Sequence, residues 1–167
     1  MGATLHWREP PDRDARDFET FVEFGRGRRS GRGFMAYSER SGPGVVLAHP
    51  PPSLADSVLD VARTVHAEGF TVLVPEMGLV PDHAEPERLT AAADYLIDNW
   101  HPRLGVVGFG AAAALAGQLA VERRCDAVVI CGAEEADAGS LGAPVLHCAA
   151  GELLAERALE FLHYHLS

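Results

Sequence analysis

The residues of this chain that could carry chemistry stand where apolar runs stop. Arg103 to Arg123, RLGVVGFGAAAALAGQLAVER, reads as a short buried strand over Leu104 to Phe109, a turn at Gly108 and Gly110, and a helix of Ala and Leu. A strand, tight turn and helix in that order serve α/β proteins in two ways. The turn holds a nucleophile in a G-x-S/C-x-G elbow, or it seats a phosphate on the helix N-terminus after G-x-G-x-x-G/A. Gly110 stands where an elbow would carry Ser or Cys, and it has no side chain with which to attack. Gly108-x-Gly110-x-x-Ala113 satisfies the second pattern and keeps a dinucleotide-binding reading open. Against that reading, the motif lies mid-chain and not on a first βαβ unit, and the acidic candidates Glu134 and Glu135 come too far along. The remaining reading is a turn that only lets a helix pack close.

His49 and Glu76 each follow an apolar strand, at the end of the sheet where open α/β folds build their sites. Together they offer an acid and a base for proton transfer without covalent chemistry. The structural alternative is a His bonded within its own loop and a Glu that caps or faces water. His147 and Cys148 are consecutive on a strand and point to opposite faces, so they do not clamp one ion, and no metal or cofactor is assigned. Cys131, at a strand end, is a thiol near the presumed cleft without an evident base, and is read as core. Arg26, Arg28, Arg29 and Arg32 make the single basic patch, either a solvated hairpin tip or an anion site.

The elements that must position these residues follow from periodicity. Residues 1–18 mix Pro10, Pro11 and alternating Asp and Arg without a period and read as a surface arm, leaving 19–167 as a single domain. Glu19 to Arg29 and Arg32 to Ser38 read as a strand hairpin. Val45 to Ala48 is an apolar strand ending at His49-Pro50-Pro51-Pro52. Ser53 with Asp56 makes a capping-box-like start for a helix whose inner face is Leu54, Val58, Val61, Ala62 and Val65, closed by Gly69. Phe70 to Val74 is the next strand. Pro86 opens a helix with Leu89, Ala93, Leu96, Ile97 and Trp100 inward. Beyond the central unit, Asp126 to Cys131 and Ala143 to Ala149 are strands separated by the acidic loop Gly132 to Gly142. The last helix, about Glu152 to Leu166, turns Leu154, Ala158, Phe161 and Leu162 inward. Continuous apolar strands alternating with amphipathic helices predict a three-layer α/β/α fold with a mostly parallel sheet.

Bulk properties narrow the partners. A net charge of −10 over 167 residues repels phosphate backbones and anionic headgroups, which argues against nucleic acid and membrane surfaces. No apolar run is long enough to span a bilayer, and the N-terminal stretch lacks an apolar signal core. Three cysteines without C-x-x-C spacing read as free, buried thiols of a cytoplasmic protein.

In this order the chain resembles the dienelactone hydrolase family of α/β-hydrolases. The matching pieces are GPGVVLAHP, VARTVHAEGF, TVLVPE, LTAAADYLIDNW, GVVGFGAAAALAGQLA, CDAVVICGA, APVLHCAAGE and AERALEFLHYHL, covering about residues 20–167. The resemblance implies a reduced α/β-hydrolase fold with an N-terminal hairpin. It also implies a pocket around His49, Pro50, Glu76, Phe109, Gly110 and Ala111. Family members hydrolyse esters or lactones with a Cys or Ser nucleophile, a His base and an orienting Asp. The nucleophile falls on Gly110 and the Asp near Leu153, where Glu152 is the neighbouring carboxylate. The His should arrive on a later loop, yet the chain passes from Gly151 almost directly into the terminal helix, where His163 and His165 do not match it. The fold's oxyanion hole takes one N–H after the nucleophile, here Ala111, and one from the loop after His49, where Pro50, Pro51 and Pro52 have none to give. Losing one such donor costs about 3 kcal/mol, and losing the nucleophile removes the covalent route.

The expectation is a hydrolase relative without the triad that binds a small hydrophobic molecule or a protein partner. The alternative is a non-covalent isomerase, cyclase or lyase using His49 or Glu76, and the third reading is dinucleotide binding. A shortened connection leaves the strand Ala143 to Ala149 near the sheet edge, so a homo-oligomer through that strand and the terminal helix is expected.

Overall fold

Strands with no polar residue on either face are stable only between two layers, and the chain puts them there. The computed structural model describes residues 17–27, 30–39, 42–51, 54–77, 85–123, 125–132, 143–148 and 156–167. Strands β1 (Asp17–Phe24) and β2 (Gly31–Ser38) form an antiparallel hairpin. Strands β3 (Gly44–Ala48), β4 (Thr71–Pro75), β5 (Leu104–Phe109), β6 (Ala127–Cys131) and β7 (Val145–Cys148) run parallel to one another. The order across the sheet is β1-β2-β4-β3-β5-β6-β7, with β2 antiparallel to β4. Thus β7 is an edge strand, as expected of Ala143 to Ala149.

Helices α1 (Asp56–Ala67) and α4 (Glu156–Leu166) cover one face. There Val58, Val61, Ala62 and Val65 of α1, and Ala158, Leu159, Leu162 and Leu166 of α4, join Val45, Leu47, Val107 and Val129 in one core. Helices α2 (Glu85–Asn99) and α3 (Ala113–Glu122) cover the other, with Leu89, Leu96, Ala116 and Leu119 against Val46, Val106 and Ile130. The three-layer α/β/α arrangement is the one the periodicity predicts. Side chains alternate between these cores along every strand, so Val145 packs on the α2/α3 side and Leu146 on the α1/α4 side.

Several boundaries differ from the sequence reading. β1 begins at Asp17, two residues inside the stretch read as an arm, and ends at Phe24. The tip is a tight turn in which the Ser30 N–H and hydroxyl both donate to the Gly27 carbonyl, at 3.1 and 2.7 Å, so pairing stops earlier than Arg29. Helix α1 starts at Asp56 with Ala55 at the N-cap and no side-chain cap bond. The first turn is closed by Val58 and Leu59 N–H donating to the Ala55 carbonyl, and the capping box expected from Ser53 falls outside the described residues. In α4 the buried stripe is Ala158, Leu159, Leu162 and Leu166, with Phe161 only half-buried. Ser53, Pro52, Arg28, Arg29, Glu134, Glu135, Glu152, Leu153, Leu154 and most of the arm lie outside the described residues. No helix among the described residues is long and apolar enough to cross a membrane.

Candidate functional site

β3 bonds to β4 on one side and to β5 on the other, so the chain reverses its direction of travel across the sheet at β3. Such a reversal is where open α/β sheets place a ligand site, beyond the carboxyl ends of the strands, and His49 and Gly110 follow β3 and β5 there. Register extends the site sideways. Phe109 pairs with Cys131, which pairs with Cys148, and all three turn to the α1/α4 side. His49, one residue beyond the Ala48–Gly108 pair, continues the row, and its ring lies 5.4 Å from that of Phe109. The row at the sheet's end is thus His49, Phe109, Cys131, Cys148, with Phe109 occupying the position between the imidazole and the first thiol.

The imidazole of His49 is half-buried, and its Nδ1 lies 2.7 Å from the carbonyl oxygen of Pro50. A carbonyl only accepts, so Nδ1 is the donor in this contact, and in the neutral ring Nε2 is the nitrogen with the lone pair. Glu76 is diverted elsewhere. Its N–H bonds the Arg32 carbonyl at 2.8 Å, extending the β2–β4 ladder by one residue, and its Oε2 lies 2.8 Å from Arg32 Nε. Both side chains are about half exposed, so the pair contributes at most about 1 kcal/mol. Arg32, read as one member of a hairpin-tip patch, also lies over the Phe21 ring at 5.6 Å. No sequence signal marks this pairing, because it depends on β2 joining the sheet beside β4.

The glycine turn is a sharp one. Gly110 has φ +49, a conformation costly for a residue with Cβ, and opens a single 3₁₀ turn, Gly110–Ala112, that runs into α3. Among the described residues, a Cβ at Gly110 would meet only the Pro50 ring, at 3.7 Å. Pro50, the second residue after β3, therefore lies against the turn, and its ring nitrogen has no N–H to offer. Ala111 is exposed, and its N–H is among the first-turn donors that a helix leaves without an internal partner. Gly108 is glycine for a different reason: a Cβ there would come 2.6 Å from the Ala116 Cβ and 3.0 Å from the Ala113 Cα. The first and last small residues of the G-x-G-x-x-A pattern thus meet in the contact between β5 and α3.

None of the three cysteines is in a disulfide. Cys125 lies in the other core, under α2 and α3, and burial, aided by the adjacent Asp126 charge, pushes its thiol up to about 12. Among the described residues no group of three or more His, Cys, Asp or Glu is arranged to hold a metal ion. A cavity of about 390 Å³ lies at the opposite, amino-terminal end of the strands, between Pro43, Glu68, Phe70, His101, Arg103 and His163.

Neither a protein-family model nor a curated protein matches the sequence. Solved structures do. A dienelactone hydrolase from Anabaena variabilis superposes with a TM-score of 0.73 at 19% identity, over 90% of this chain and 99% of that one. A dienelactone-hydrolase-like promiscuous phosphotriesterase from metagenomic libraries gives 0.64 at 23% identity, over 90% and 76%. A Pyrococcus furiosus esterase gives 0.53 at 18%, over 70% and 49%. By strand order, layering and these likenesses together, the chain has the α/β-hydrolase fold in the form seen in dienelactone hydrolase.

Proposed function

We propose that this protein is a non-hydrolytic member of the α/β-hydrolase fold that binds a small hydrophobic molecule or a protein partner at the carboxyl end of its sheet. The observation that carries the reading is the turn at Gly110. A backbone bend that could hold a nucleophile is occupied by a residue with no side chain and is covered by a proline ring with no N–H. Restoring a thiol tests it. Gly110→Cys is expected to hydrolyse an activated ester such as p-nitrophenyl acetate no faster than Gly110→Ala, which shares its backbone strain. Turnover by the cysteine variant clearly above that control would mean that a base and an oxyanion site survive.

A second reading, proton transfer in a bound molecule, is favoured by the His49 tautomer. With Nδ1–H held by Pro50, Nε2 is a fixed, half-buried acceptor at the crevice. On this reading His49→Asn abolishes turnover while the circular-dichroism spectrum and melting temperature are kept. Glu76→Gln has a smaller effect, since Arg32 already engages that carboxylate. Saturable ligand binding with no turnover, unchanged in His49→Asn, returns the assignment to a binder.

The same proposal includes a homo-oligomer through β7 and α4. β7 is a four-residue edge strand whose Val145, Leu146 and His147 are only half-buried, and on α4 Tyr164 is 82% exposed beside the His165 ring, which also meets Phe161. Sedimentation at tens of micromolar is expected to give a dimer or larger species, and a monodisperse monomer would reject it. A reducing, cytoplasmic setting goes with three thiols held outside any disulfide.

A further inference from the structure

We propose that His66 is a proton-operated clasp that fastens the beginning of β1 to the end of α1. Its ring meets two oxygens at once. Nδ1 lies 2.7 Å from the Phe70 carbonyl oxygen, and Nε2 lies 3.0 Å from Asp17 Oδ1. A carbonyl and a carboxylate only accept, and a neutral imidazole has a single N–H to give. Only the doubly protonated ring therefore fills both contacts. The two are unequal: the Phe70 bond is shorter and local, four residues along the chain, whereas Asp17 is 49 residues away on another element. A ring that gives up one proton keeps Nδ1–H on Phe70, and its Nε2 lone pair then faces the Asp17 carboxylate, so that contact opens.

The surroundings suit a ring that takes up charge. His66 stands in the last turn of α1, where the helix leaves carbonyl oxygens that favour a cation, and its side chain is only 12% exposed. From β1 it faces Asp17 and feels the charge of Glu19. On α1, Arg63 stands one turn back and is held by Glu19 at 2.7 Å and Asp60 at 3.0 Å. From α4, His163 stacks on the Phe70 ring and bonds Glu68 at 3.0 Å. What the clasp holds is the first pair of the hairpin, Asp17 with Ser38. The next residue, Phe18, leaves the other face of β1 and stacks 5.2 Å from Tyr37, whose ring is 4.9 Å from that of Trp100 on the α2/α3 side. One proton on the α1 side of the sheet thus steadies an aromatic stack on the opposite side. The sign follows from the bonds: the clasp is closed where His66 is protonated and opens as the pH rises through its titration.

The test is an NMR titration of the full chain from about pH 5 to about pH 8, reading the ring nitrogens of His66 and the amide protection of β1 and β2. In the wild type both ring nitrogens carry protons at the low end. Protection of the pairs Asp17–Ser38 and Phe18–Tyr37, corrected for intrinsic exchange, then falls about 2- to 5-fold as the ring deprotonates, the range for an exposed ion pair. Asp17→Asn is the discriminating variant, at an exposed position at the strand's beginning. Its amide can donate to the bare Nε2, so the fall in protection disappears, while the midpoint of the His66 titration drops by about 0.5 pH unit because the carboxylate is gone. A His66 titration that does not move in Asp17→Asn would overturn the clasp. So would a wild-type hairpin equally protected on both sides of that titration, or a pH dependence that survives the substitution.

Discussion

Leu162→Ala lowers the free energy of unfolding by about 2–5 kcal/mol, read as a fall in the denaturant midpoint with the slope unchanged. Leu162 is fully buried, on the helix that covers β5 and β6, and its neighbour Leu166 is 1% exposed. The sheet has made room for both. At Gly105 of β5 an added Cβ would lie 2.9 Å from Leu166 Cδ1 and 3.3 Å from Leu162 Cδ2, so the strand uses its missing side chain to bring α4 close. Removing three carbons from the middle of that contact loses their transfer free energy and leaves a cavity that packed neighbours only partly close. A change below about 1 kcal/mol would mean that α4 is not docked on the sheet in solution. The substitution also separates stability from assembly. If α4 contributes to an interface between copies, a weaker α4 shows up as a concentration dependence of the midpoint as well as a shift in it.

The second large effect is at Gly108. Gly108→Ala is expected to destabilise the fold by about 1–3 kcal/mol, the usual cost of overpacking, even though alanine stiffens the unfolded chain in its favour by about 0.4–1 kcal/mol. The added carbon would lie 2.6 Å from the Ala116 Cβ and 3.0 Å from the Ala113 Cα. Of these, Ala116 can be trimmed. In the double variant Gly108→Ala, Ala116→Gly the side-chain clash is gone and the backbone contact remains, at a helix-propensity cost of about 1 kcal/mol. The double variant should therefore be more stable than the sum of the singles implies, by about 1 kcal/mol of coupling in a double-mutant cycle. Strict additivity would place the need for glycine elsewhere. The result bears on function as well. A glycine explained by its contact with α3 leaves the dinucleotide fingerprint without independent support, and a thermal shift of the wild type with NAD or NADP would be needed to revive it.

How much of this was legible beforehand depends on the range of the contact involved. Strand β5 runs from Leu104 to Phe109 as its apolar run predicts, and the inward stripe of α1 is Val58, Val61, Ala62 and Val65. Both are properties of a residue and its near neighbours, expressed as a period. Helix and strand ends were less readable, because they are set by competition between near-equivalent boundaries: α1 starts at Asp56, with Ala55 at its N-cap. At the candidate site, the positions of His49, Glu76 and Gly110 at strand ends could be read from the chain, but their partners could not. Arg32 reaches Glu76 only because the hairpin joins the sheet beside β4, and Pro50 covers Gly110 only because β3 and β5 are neighbours. The row joining Phe109, Cys131 and Cys148 needs the register of three strands, which no local pattern encodes.

The hairpin has a consequence for how the sheet can grow. β1 forms the far edge, opposite β7, and along one side of it run Asp17, Glu19, Phe21 and Glu23, all exposed. Arg63 meets Glu19 at 2.7 Å and His66 meets Asp17 at 3.0 Å, both from α1, so these carboxylates are anchored on the flank of the sheet. A second copy laid fully antiparallel on β1 would set Asp17 directly against Glu23 at both ends of the pairing, a repulsion that direct cross-strand pairs do not tolerate. One border of the sheet is fenced by carboxylates, while the four residues of β7 at the other, Val145–Cys148, include none, which gives any self-association a direction.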